Sequence, residues 1–247
     1  MALSVLGEPD DFLAGADTCS MTATLITGAN KGLGKETARQ LIAAGHTVYV
    51  GSRDVDRGRA AAAELGARFV QLDVTDDQSV VAALARIEAE GGLDILINNA
   101  GIGLLGLNGP EALQVFDTNV VSIVRLTEAA LPLLQKSDHP VIVNVSSALG
   151  SFAAVTNPER PAFHYRAIVY GASKAAVSML TLQYAKQYPN IKINAAEPGY
   201  TATDFGGGSN EGAQPVAVGA RVIAEMALIG KDGPTGTFHE EGGELGW

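Results

Sequence analysis

Short apolar runs alternate with longer amphipathic stretches from about residue 22 to the end of the chain. The runs at 24–27, 47–50, 69–72, 93–97, 141–145 and 191–195 are rich in β-branched and aliphatic residues, as buried strands are. Between them, the stretches 36–44, 57–65, 79–89, 111–135, 170–187 and 216–229 carry helical patterning, and residues 237–239 predict a weak seventh strand. Gly45 stops the first helix and Asp76 opens the third. Strands separated by helices imply right-handed crossovers and one parallel sheet with helices on both faces. With no Pro/Ser-rich linker, residues 22–247 are expected to form a single doubly wound α/β domain with a mostly parallel seven-stranded sheet.

Composition narrows the partners. Hydrophobic residues make up 47% of the 247, enough for a continuous core. The formal net charge is −10 and no block of Lys and Arg occurs, so neither nucleic acid nor a membrane is expected as a partner. Cys19 is the single cysteine, which excludes an intramolecular disulfide. His46, His139, His164 and His239 lack metal-ligand spacing, and no metal is expected. The first twenty residues carry acids but no Lys or Arg, and only short apolar runs. Residues 1–21 are therefore read as a flexible extension rather than a signal or anchor, with Met21 a conceivable alternative start and a cytoplasmic location as the default.

In a doubly wound sheet, ligands bind beyond the carboxyl ends of the strands. There the first strand runs into Thr27-Gly28-Ala29-Asn30-Lys31-Gly32-Leu33-Gly34, whose glycines permit a tight turn and close approach of a pyrophosphate to a helix N-terminus. The spacing is G-x-x-x-G-x-G, and such a turn also serves plain strand–helix connection. About 20 residues beyond these glycines, where an acid would bind a ribose 2′-hydroxyl, the chain reads Gly51-Ser52-Arg53. Arg53 suits a 2′-phosphate, with Lys31 as a second cation, so NADP(H) is expected over NAD(H). Asp54 is the competing feature, because it could reach a free hydroxyl instead. Asp73-Val74 follows the third strand, where an adenine would lie, though Asp73 serves equally well as a loop cap. Asn98-Asn99-Ala100-Gly101 is a polar turn after the fourth strand whose asparagines can satisfy strand-end backbone groups.

At the same sheet end, Tyr170 and Lys174 lie four residues apart on one predicted helix face. A nearby ammonium stabilises phenolate and lowers the tyrosine pKa, which suits proton exchange with a carbonyl or alcohol. The fifth strand ends in Ser146-Ser147, and Pro198-Gly199-Tyr200-Thr201-Ala202-Thr203 follows the sixth.

In this order and strand context, the Thr27–Gly34 turn, Asn98–Gly101, Asn119 in Phe116-Asp117-Thr118-Asn119-Val120, Ser146-Ser147, Tyr170-x-x-x-Lys174 and Pro198-Gly199 with Thr203 resemble the short-chain dehydrogenase/reductase family over residues 22–247. The resemblance implies a Rossmann-type fold. It implies Tyr170 as general acid in reduction, Ser147 as hydrogen-bond donor to the substrate carbonyl, and Lys174 as the residue that holds the nicotinamide ribose. Asn119 would support a water-linked proton relay. Gly28, Asn30, Lys31, Gly32, Leu33, Gly34, Ser52, Arg53, Asp73, Val74, Asn99, Ala100, Gly101, Tyr170, Lys174, Pro198, Gly199, Thr201 and Thr203 would line the cofactor.

Gly28–Gly32, Ser52–Val55 and Gly233–Phe238 look most like the NADPH-dependent carbonyl reductases, which implies a small-molecule ketone, aldehyde or alcohol as substrate. Two departures stand out. The gap from Ser147 to Tyr170 is long and carries Phe152, Phe163, His164 and Tyr165, while the stretch after Thr203 is short and glycine-rich at Gly206-Gly207-Gly208. The 148–169 segment is either a wall of the substrate pocket or a surface loop packed on itself. The second function class is an NADP(H)-binding sensor with little turnover. A monomer and a homo-oligomer are both compatible with the sequence.

Overall fold

The structure is a computed structural model that describes residues 21–103, 107–205 and 211–247. Most of the expected N-terminal extension, with Cys19, and the Gly206–Gly208 run lie outside the described residues.

Strand and helix alternate as β1 (Ala23–Thr27), α1 (Gly32–Ala43), β2 (Thr47–Ser52), α2 (Val55–Leu65), β3 (Arg68–Gln71), α3 (Asp77–Ala89) and β4 (Ile95–Asn98). The second half comprises α4 (Gly109–Phe116), α5 (Ser122–Leu134), β5 (Val141–Val145), α6 (Phe152–Val155), α7 (Pro161–His164), α8 (Ile168–Gln187), β6 (Lys192–Ala196), α9 (Val216–Ala227), β7 (Phe238–Glu240) and β8 (Gly243–Glu244). Their order across the sheet is β3-β2-β1-β4-β5-β6-β7-β8. The first seven strands are parallel, and β8 adds an antiparallel edge that the sequence did not announce. The order reverses between β1 and β4, which opens a ligand crevice at their carboxyl ends.

Alternation along each strand divides the core. Leu25, Leu96, Ile142 and Ile193 face α3 and α5 through Val80, Leu84, Ile87, Leu126 and Leu134. Their neighbours Ile26, Ile97 and Val143 face α1 and α9 through Ala38, Leu41, Val222 and Ile223. Asp54 caps α2 by accepting from the Arg57 amide, and Asp76 caps α3 by accepting from Gln78 and Ser79.

Three local expectations change. The first helix begins at Gly32 rather than residue 36, because its opening turn is built from glycines of low helix propensity. The helix expected at 111–135 is divided by a π turn, Asp117–Val121, between α4 and α5. The long segment before Tyr170 is not a loop packed on itself. Its helices α6 and α7 bury Ala154 and Ala162 against Ala195, Phe238 and Leu245. Ser151 donates from its hydroxyl to the Gly246 carbonyl, and Arg160 holds Glu240 through both guanidinium nitrogens.

Candidate active site

The glycine turn is a backbone device. Gly28 and Gly32 have φ of 64° and 55°, in the left-handed region that other residues rarely adopt. A β-carbon at Gly34 would lie 2.5 Å from Asn99 Nδ2 and 2.9 Å from the Gly28 carbonyl oxygen. Asn99 donates from that nitrogen to the carbonyls of Thr27 and Gly28, while Thr27 Oγ1 accepts from the Asn99 and Ala100 amides. The expected bracing by asparagine is thus present, and it fixes the β4 turn to the β1 turn. Lys31 precedes α1 and makes no side-chain cap to it. Among the described residues, no side-chain oxygen bonds the first-turn amides of α1, so this helix start could take an anion. Asn30 is half-buried, and Leu33 packs on the core beneath the turn.

Beyond β2, Ser52 is buried and donates to the Asp54 carbonyl, leaving Arg53 exposed. The Asp54 carboxylate accepts from the amide and Nε of Arg57, so it is turned towards α2. Asp73 accepts from the Thr75 amide and hydroxyl through Oδ1. Burial alone would raise the Asp73 pKa, but those bonds and the charges of Arg53 and Arg125 hold it below the usual carboxylate value. Asp73 thus caps its own loop, and the Val74 carbonyl is likewise occupied, by Arg125 at 2.7 Å.

At the chemical end, the two serines part company. Ser146 is buried and hydrogen-bonds the Lys174 carbonyl and the Ser178 hydroxyl. Ser147 is half-buried, accepts from the Leu149 amide at 3.2 Å, and brings its hydroxyl close enough to Tyr170 to act on the phenol's pKa. Lys174, 4% exposed, donates from Nζ to the Val145 carbonyl at 2.7 Å, and its Nζ lies 5.7 Å from the Tyr170 ring centroid. Asn119 sits in the π turn, where its Oδ1 accepts from the Ile102 amide and its Nδ2 donates to the Ile102 carbonyl and Ser173 Oγ. That side chain is fully engaged, so any part in a relay falls to the backbone that the widened turn frees from ordinary helical pairing. An alanine at Gly101 would just touch Asn119 and Lys174, so the Asn99–Gly101 turn runs directly along these two residues.

The expected lowering of the Tyr170 pKa by Lys174 is not found. Burial pushes the phenol well above its usual value, the Glu197 carboxylate adds to the rise, and the Ser147 hydroxyl offsets only part of it. Burial also pushes Lys174 down to about 8, against the pull of Glu197. Tyr170 is therefore a protonated phenol across the neutral range.

After β6, Gly199 has φ of 71°, and Thr201 Oγ1 donates to the Pro198 and Gly199 carbonyls. Thr203 comes close to Gly32, and Lys31 pairs with Asp204 at 3.4 Å, so this turn meets the glycine turn across the crevice. Two neighbours were missed from sequence. Phe205 lies against Tyr170, and Glu197 is 8% exposed directly before Pro198. The only signal for either was its position beside the Pro198–Thr203 turn. Among the described residues, no cluster of three or more metal-ligating side chains occurs, and no helix is long and apolar enough to cross a membrane.

Comparison with known proteins agrees with this arrangement. The short chain dehydrogenase family model matches residues 22–214. The chain is 35% identical to the short-chain dehydrogenase anuI of Penicillium roqueforti (strain FM164) over 84% of its own length and 91% of that protein's. It is 32% identical to (-)-isopiperitenone reductase of Mentha piperita, covering 87% and 94% of the two chains. The solved structure of salutaridine reductase from Papaver somniferum superposes with a TM-score of 0.77 at 26% identity, over 88% of this chain and 99% of that one. The chain belongs to the short-chain dehydrogenase/reductase family of nicotinamide-dependent oxidoreductases.

Proposed function

We propose that this protein reduces a ketone or aldehyde with NADPH, using Tyr170 as the proton donor. The observation that carries this reading is the convergence of the Tyr170 phenol, the Ser147 hydroxyl and the buried Lys174 ammonium at the carboxyl end of the sheet. When bound, the nicotinamide supplies the hydride. Ser147 already accepts from the Leu149 amide, so its hydroxyl proton is available to a substrate carbonyl oxygen. Tyr170, kept protonated by burial, gives that oxygen its proton as negative charge develops on it. Lys174, anchored on the Val145 carbonyl, keeps donors to spare for a ribose hydroxyl and places positive charge behind the phenol.

NADPH is favoured over NADH because Arg53 is exposed beyond β2 while Asp54 is occupied by Arg57. Lys31 in the glycine turn is a second exposed cation, held here by the exposed Asp204. The pocket mouth favours an apolar carbonyl compound: Phe205 lies against Tyr170, and Tyr165 from the segment before α8 approaches Tyr200 at 6.5 Å between rings.

The test is NADPH oxidation with a panel of ketones and aldehydes, comparing the wild type with Tyr170→Phe. We expect turnover by the wild type and a fall of about 100-fold or more in the variant, with NADPH affinity retained. Tight NADPH binding without turnover of any compound by either protein would instead support a sensor.

A further inference from the structure

Glu197 directly follows β6 as a buried acid with both carboxylate oxygens in use. Oε2 accepts from the Ala148 amide, one residue after Ser147, and Oε1 accepts from the Gly199 amide at 3.0 Å. Its backbone amide donates to the His239 carbonyl at 2.7 Å, which fixes the residue to β7. One side chain thus joins the strand end that carries Ser147 to the turn that carries Pro198–Thr203. We propose that Glu197 is a positioning residue, which locks these two walls of the site together and supplies the negative charge that balances the buried Lys174 ammonium. This inference rests on the assignment of Ser147, Tyr170 and Lys174 given above.

The charged surroundings fit this role. Lys174 and Tyr170 face Glu197 from α8, Arg160 from the segment before α7, and Glu240 from β7. The His239 imidazole on β7 is engaged by the Thr237 hydroxyl. Arg160 is committed to Glu240, so Lys174 is the cation left to balance Glu197 within this group. Burial raises Glu197 to about 7, with the Ala148 and Gly199 amides and the Lys174 charge opposing. Glu197 is therefore largely ionised above neutrality, where the Lys174 ammonium is closest to losing its proton.

The decisive measurement uses the cofactor-free protein with 13C-labelled lysine, so that the Lys174 side-chain resonance is followed through a pH titration. Lys174→Arg assigns the resonance. The wild-type midpoint is expected near 8. Glu197→Gln should move it lower by about one pH unit, and Glu197→Asp, which keeps the charge, should restore most of that shift. Thermal melts of each variant confirm that it is folded. In a turnover assay, the alkaline limb of kcat should move with the Lys174 midpoint, while KM for NADPH changes by less than about threefold. A Lys174 midpoint unchanged in folded Glu197→Gln overturns the proposal. If no compound is turned over, the reduction assignment fails while the titration still decides the role of Glu197.

Discussion

The ring of Phe205 stands 5.5 Å from the ring of Tyr170, at 60° to its plane. Gly103 makes room for it, since a β-carbon there would come within 2.8 Å of the Phe205 ring. Phe205 is 47% exposed, so an apolar face remains open beside the phenol. Phe205→Ala removes that face. Apolar carbonyl substrates should then show KM raised about fivefold, the equivalent of roughly 1 kcal/mol of lost aromatic contact. Cofactor binding, followed by nicotinamide fluorescence, should be unchanged; an equal loss of both would mean that the ring supports the fold and not the substrate.

Gly34 predicts a cofactor defect with a purely steric origin. The methyl group of Gly34→Ala meets Asn99 and the Gly28 carbonyl, so the β1 and β4 turns must move apart. The cost is expected at about 1–3 kcal/mol of stability, together with at least tenfold weaker NADPH binding. Urea unfolding and cofactor titration measure the two separately. Wild-type values in both would show that the brace yields freely.

Cofactor choice turns on one exposed guanidinium. Arg53→Ala should weaken NADPH about 10- to 100-fold, the loss of a charge-assisted bond of roughly 1.5–3 kcal/mol, and leave NADH nearly unaffected. Competition between the two nucleotides reads this directly. Equal weakening of both would assign the 2′-phosphate to other residues.

Buried ionisable groups predict how stability follows pH. Glu197 titrates near 7 in the folded protein, above its unfolded value, so the folded state binds the extra proton between roughly pH 4.5 and 7. This group's contribution is complete below that window and is lost as pH rises through it. Lys174 titrates near 8, below its unfolded value, so its contribution grows as pH rises from about 8 towards 10.5. Glu197→Gln should flatten the acid-side fall, on the order of 3 kcal/mol, and start the alkaline rise about one pH unit lower, as the Lys174 midpoint falls. Denaturant midpoints across both windows provide the check.

Much of this is legible in the amino-acid sequence. Six strands stood out because their buried runs are dense in Val, Ile and Leu, and Asp76 marked its helix start by its chemistry. Ser147 and Tyr170 could be paired because their order along the chain matched a known pattern. The π turn left no trace, since Asp117–Val121 reads as ordinary helix and its geometry comes from Asn119 bonding Ile102 and Ser173. Glu197 was silent for a similar reason: an acid after two alanines gives no sign that its oxygens reach Ala148 and Gly199. The desolvation of Tyr170, half-buried beside Phe205, also had to be seen in space, and it reverses the expected direction of its pKa.

The packing of α6 and α7 on Phe238 and Leu245 sets an order of assembly. The cofactor half of the sheet, β1 to β4, is contiguous in the chain and can form while synthesis continues. The segment before Tyr170 has to wait, because Ser151, Ala153 and Arg160 are held by Gly246, Trp247 and Glu240. The parallel core from β1 to β4 can therefore order first, and the segment before Tyr170 only after β7 and residues 246–247 have been added.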